Sequence, residues 1–96
     1  MELLSISQIN AHLESLPDWN LEDNGKSVIK IFEFEDFSKA VNFINKITEI
    51  AEREKHHPEL RLYDYNKLEI KFTTHSVNGL TKRDFELASE INKILT

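Results

Sequence analysis

The chain has 96 residues, and its 12 basic against 17 acidic side chains give a formal net charge of −5. That length has room for one domain, residues 1–96, and one modest core. Cysteine is absent, which excludes disulfide scaffolds, thiol nucleophiles, zinc ribbons and iron–sulfur sites, while the acidic balance offers no electrostatic footprint for nucleic acid.

In chain order, Ser5 caps a first helix carrying Ile6, Ile9, Leu13 and Leu16, closed by Pro17. The opening residues lack the basic and apolar regions of a signal peptide, so the expected location is cytoplasmic. Trp19 and Leu21 begin a short strand, and Asn24-Gly25 signals a hairpin. The returning strand, Val28 to Phe34, is apolar in both frames: Val28, Phe32 and Phe34 in one, Ile29 and Ile31 in the other. A strand with two apolar faces wants cover on both sides, helices on one and a second subunit on the other.

Asp36 caps the longest helix, whose apolar stripe is read as Phe37, Ala40, Val41, Ile44, Ile47 and Ala51. Phe37 and Phe43 are assigned to core and interface. The helix ends near Lys55, because Pro58 disfavours helical geometry at His57. Leu60 to Tyr65 and Leu68 to Thr74 form two further strands about a turn at Asn66-Lys67. After Gly79, Thr81 caps a last helix with Asp84 at the capping-box position and Phe85, Ala88, Ile91 and Leu95 as its stripe. The order α-β-β-α-β-β-α implies an α+β fold: an antiparallel sheet with helices packed on one face. No apolar run reaches the about 18 residues of a membrane span.

Three of the four histidines fall between positions 56 and 75. With the last two strands paired about Asn66-Lys67, Pro58-Glu59 lies opposite Thr74-His75. His56, His57 and His75 then share one neighbourhood at one edge of the sheet. His75 shares a face with Thr73 and projects away from the face of Leu68, Ile70 and Phe72. Imidazole is the side chain best matched to proton transfer near neutral pH, so the cluster points to general acid–base chemistry. Glu52, one helical turn before His56, is placed to hold its tautomer, and Asp84 to do the same for His75.

Each feature also has a plainer reading. His-His-Pro fits a polar turn and His75 a strand-end surface residue, Asp84 is explained as a cap and Glu52 as an exposed helix charge. Trp19 packs rather than binds, and His12 is read as solvated. A three-histidine zinc site is the sharp alternative. Adjacent His56 and His57 point apart if extended, however, and no His-x-His or HExxH spacing exists, so no metal is assigned. Glycine-rich phosphate loops, nucleophile elbows and paired-carboxylate motifs are missing.

Glu52, His56-His57-Pro58, Tyr65, Thr73-Thr74-His75, Gly79-Leu80-Thr81 and Asp84, with Trp19, Phe32, Phe34 and Asp36-Phe37 upstream, resemble the signature of the pterin-4a-carbinolamine dehydratases. The resemblance covers about residues 17–96. Leu60 stands where animal members tend to have an aromatic residue. The resemblance implies a four-stranded antiparallel sheet with helices on one face. It also implies loss of water from 4a-hydroxytetrahydropterin to give quinonoid dihydropterin, in tetrahydrobiopterin recycling, with no cofactor. By the same resemblance His56 and His75 are acid–base groups and His57 binds and orients the ring. Glu52, Thr73, Thr74 and Asp84 contact the pterin or steady an imidazole. The expected partners are the pterin substrate and further copies of the chain, as dimer or tetramer. Two other roles go with the resemblance: a dimerisation cofactor for a transcription factor, and a pterin role near molybdopterin metabolism.

Overall fold

The computed structural model describes residues 2–95. The elements are α1 (Ile6–Glu14), β1 (Asn20–Leu21), β2 (Val28–Glu33), α2 (Phe37–Glu54), β3 (Glu59–Tyr63), β4 (Lys67–Phe72), a 3-10 turn at His75–Val77 and α3 (Lys82–Leu95). The strands form one antiparallel sheet in the order β1-β2-β4-β3. This is the expected α+β architecture, in the expected order.

Local chemistry places the helix starts. Ser5 and Gln8 make a reciprocal capping box on α1, and the Asp36 carboxylate accepts from the Lys39 N–H at 2.8 Å. At α3 the Thr81 N–H donates to Asp84 Oδ2 at 3.0 Å. Alternation then selects the buried face of the sheet. In the central pair Val28 lies opposite Phe72 and Phe32 opposite Leu68, all four buried. On the reverse face Ile29 lies opposite Lys71 and Ile31 opposite Glu69, and Ile31 is 51% exposed. The helices cover the first face. Trp19 anchors this core: it lies against Phe32 and Phe72, and its indole N–H donates to Asn92 on α3 at 3.1 Å.

Four local expectations are corrected. Helix α1 ends at Glu14, so the buried Leu16 lies beyond it. The stripe of α2 is rotated: Ala40, Phe43, Ile47, Ile50 and Ala51 are buried, Val41 and Ile44 are half-buried, and Phe37 is 54% exposed. Two apolar rows lie side by side on this helix, and periodicity alone does not say which is innermost. On α3, Leu87 is buried and Leu95 is exposed. Finally, the β3–β4 turn is centred earlier than Asn66-Lys67. Asp64 and Tyr65 take positive φ values of 47° and 55°, and Tyr63 pairs with Lys67. Glu59 therefore lies opposite Lys71 rather than Thr74-His75.

The segment after β4 is fastened from several directions. Thr74 and Gly79 bridge through both backbone N–H groups, at 2.8 and 3.3 Å, closing a ring around the His75 turn. The Leu4 N–H donates to the Leu80 carbonyl at 2.9 Å. Leu3 lies over Gly79 so closely that a Cβ there would come within 2.6 Å of its side chain.

Candidate active site

The site begins where α2 stops. Lys55 adopts the left-handed conformation (φ 54°), and the His56 N–H reaches back to the Ala51 carbonyl at 3.2 Å. This six-to-one closure reverses the chain over the last turn of the helix. His56 is thereby turned inward and His57 outward, and Pro58 leads into β3.

His56 packs flat against Phe72, with ring centroids 6.1 Å apart and planes 7° from parallel. Its side chain is 10% exposed, and Nε2 lies 2.6 Å from Oδ1 of the fully buried Asp84. A carboxylate only accepts, so the ring proton facing it is on Nε2, and Nδ1 is the nitrogen left to exchange a proton. The second oxygen of Asp84 accepts from the Thr81 N–H and from the Thr74 hydroxyl at 2.8 Å. The Thr74 and Thr81 hydroxyls are 2.9 Å apart. Because Thr74 gives its proton to Asp84, Thr81 donates to Thr74. Asp84 is thus a buried charge held by three donors, which is the condition for keeping a carboxylate away from water.

The other two imidazoles lie at the surface. His57 Nε2 is 2.5 Å from Glu52 Oε2, with side chains 60% and 69% exposed. Both border an open cleft of about 310 Å³ whose apolar walls are Ile47, Ala51, Pro58 and Leu60. His75 opens the 3-10 turn, 76% exposed, with Nε2 4.0 Å from Glu59 Oε2. The Thr73 hydroxyl donates to the Lys26 carbonyl at 2.6 Å, tying the end of β4 to the β1–β2 loop. Each clustered histidine therefore faces one carboxylate: Asp84, Glu52 and Glu59.

The pairing differs from the sequence-based expectation, in which Glu52 served His56 and Asp84 served His75. A continuous helix brings residues four apart together. The left-handed residue at Lys55 breaks that spacing, so Glu52 meets the residue five positions on and His56 swings to Asp84. His12 is also more than solvated: it is half-buried and stacks on Phe85 at 4.7 Å and 9°. Phe72 beneath His56 and the left-handed Lys55 carried no signal in the sequence, whereas the strand pairing had already set Glu59 near His75. Among the described residues no three His, Asp or Glu side chains are grouped to hold a metal ion.

The comparisons agree with this fold. Residues 2–94 match the model of the family described as pterin 4 alpha carbinolamine dehydratase. A protein of Cyanothece sp., provisionally named pterin-4-alpha-carbinolamine dehydratase, is 41% identical over 93 residues, covering 97% of this chain and 93% of its own length. A crystal structure of a transcriptional coactivator/pterin dehydratase from Brucella melitensis superposes with a TM-score of 0.91. It is 34% identical and covers 97% of this chain and 98% of its own. A pterin dehydratase-like protein identified as a RuBisCO assembly factor in the alpha-carboxysome shares the fold, at a TM-score of 0.67 and 13% identity, over 79% of this chain and 87% of its own. With its family match running from before α1 into the last turn of α3, this chain belongs to the pterin 4 alpha carbinolamine dehydratase family.

Proposed function

We propose that the protein is a hydro-lyase that removes water from 4a-hydroxytetrahydropterin to give quinonoid dihydropterin, in tetrahydrobiopterin recycling in the cytoplasm. The observation that carries this reading is the arrangement of His56, a buried imidazole oriented by Asp84, beside the exposed His57–Glu52 pair on an apolar cleft. The reaction breaks the C4a–oxygen bond. One proton goes to the departing hydroxyl and one leaves a ring nitrogen, so the net loss is a single water. One acid and one base suffice.

In this reading His56 and His75 exchange those protons and His57 orients the ring. Asp84 and Thr74 steady His56, Glu52 steadies His57, and Thr73 fixes the strand end whose backbone groups read the amide edge of the pterin. A bicyclic pterin is flat and largely apolar on its faces, which suits a cleft walled by Ile47, Pro58 and Leu60 with polar groups at its rim. General acid–base assistance contributes about 10²–10⁴-fold, enough for a dehydration that already proceeds slowly unaided.

A stopped-flow assay of 4a-hydroxytetrahydropterin dehydration tests this directly. His56→Ala and His75→Ala are expected to lose about 10²-fold or more in kcat, and His57→Ala to raise KM. Wild-type protein no faster than buffer would refute the enzyme and leave a non-catalytic binding role. The apolar Ile31 and Phe37, each exposed in one copy, support at least a dimer. A monomeric mass in light scattering at micromolar concentration would contradict it.

A further inference from the structure

Arg83 stands next to Asp84 in the first turn of α3, yet it reaches a different element. Its Nη2 donates to the backbone carbonyl of Glu54, the last residue of α2, and Nη1 lies 3.5 Å from the Glu54 carboxylate. Terminal carbonyls of a helix have no partner within the helix. The one that Arg83 takes lies immediately before the left-handed Lys55, two residues before His56. Lysine in that conformation is disfavoured relative to a right-handed residue, so contacts on either side hold it there. On the far side the His56 N–H closes onto Ala51, and on the near side the guanidinium grips Glu54.

From this geometry we infer that Arg83 is a positioning residue for the histidine pair. By clamping the end of α2 to the start of α3 it fixes the turn that delivers His56 to Asp84 and His57 to the cleft. Consecutive residues of α3 thus set one catalytic imidazole from two directions: Arg83 through the backbone before it, Asp84 through the ring itself. The planar fork suits this task, because one nitrogen takes the carbonyl while a second meets the carboxylate. The role of Arg83 in turnover rests on the dehydratase reading above, whereas its role in placing His56 does not.

Two measurements on Arg83→Gln separate these parts. In the wild type the His56 Nε2–H, buried against Asp84, is expected to give a slowly exchanging imidazole N–H resonance in ¹⁵N-edited spectra, unlike the exposed rings of His57 and His75. In Arg83→Gln that resonance should broaden or vanish while the fold persists, and kcat should fall about tenfold or more, with KM within about twofold. Arg83→Lys keeps one donor and should restore both in part. Glu54→Gln keeps the backbone carbonyl and weakens only the 3.5 Å carboxylate contact, so it should cost clearly less than Arg83→Gln in both readouts. A folded Arg83→Gln protein with an intact resonance and unchanged kcat overturns the inference. So does a Glu54→Gln variant that loses as much as Arg83→Gln. If Arg83→Gln does not fold, Arg83→Lys decides: faster N–H exchange with lowered kcat supports the clamp, and wild-type values refute it. If the wild type shows no dehydration, the functional reading fails and the N–H result still stands.

Discussion

His56 and His57 are neighbours in sequence and each meets a carboxylate at nearly the same distance, 2.6 and 2.5 Å, yet the two pairs obey different physics. The His56–Asp84 pair is buried, and its acid is held by two further donors. The His57–Glu52 pair stands in water. Coulombic attraction across the exposed pair is screened, and ordering two mobile side chains offsets most of it, so such pairs contribute about 0–1 kcal/mol. Within the buried pair, removing one partner strands the other, which costs about 3–5 kcal/mol. Distance alone therefore says little; burial decides which pair supports the fold and which is free to meet a ligand.

The largest expected effect breaks that contrast at its buried end. Asp84→Ala strands the Thr81 N–H, the Thr74 hydroxyl and His56 together, and should lower unfolding free energy by about 3–5 kcal/mol in urea titrations. Thr74→Val removes one of the three donors and should cost about 1–2 kcal/mol by the same measurement. Glu52→Gln, the exposed counterpart, should leave stability within about 0.5 kcal/mol of wild type while dehydration activity falls. Equal stability losses for Asp84→Ala and Glu52→Gln would erase the distinction. Lys55→Gly relaxes the left-handed turn from which both histidines depart. It should raise stability by about 0.5–1 kcal/mol in thermal melts, the gain in the turn exceeding the entropy that glycine adds to the unfolded chain.

The smallest effect extends the comparison to a third acid. Hydrogen bonds from the Ser27 hydroxyl and the Lys71 ammonium, the latter at 3.0 Å, hold the Glu22 carboxyl below the usual carboxylate range. The folded protein thus binds this proton less readily than the unfolded chain. The stabilisation is present above the unfolded value and is lost as pH falls through the folded one. Glu22→Gln should therefore melt slightly lower than wild type at neutral pH, with the gap closing as calorimetric scans move into acid.

Much of this fold is legible because its signals are local. The side chains of Ser5, Asp36 and Asp84 announce helix starts by accepting from backbone N–H groups within four residues, and alternation along β4 names its buried face. The nearness of positions 75 and 59 was legible too, since pairing β3 with β4 across a short turn brings their far ends together. The carboxylate partners were not. They depend on left-handed conformations at Lys55, Asp64 and Tyr65, of which only Asp64 is a residue type enriched there. The left-handed residue at Lys55 moved Glu52 from His56 to His57 and brought His56 to Asp84, and the pair at Asp64-Tyr65 shifted the strand register. Arg83 reads in sequence as an ordinary surface charge of a helix; only the tertiary crossing of α2 and α3 gives its fork a carbonyl to hold.

Trp19, the single tryptophan of the chain, is 2% exposed and in ring contact with Phe72, whose ring in turn lies against His56. The molecule thus carries an intrinsic optical reporter separated from its buried imidazole by a single ring. Emission excited at the indole band follows global unfolding without any label. A substitution that silences chemistry but leaves that emission blue-shifted has damaged the site alone, whereas one that moves it to the red has opened the core on which the site is built.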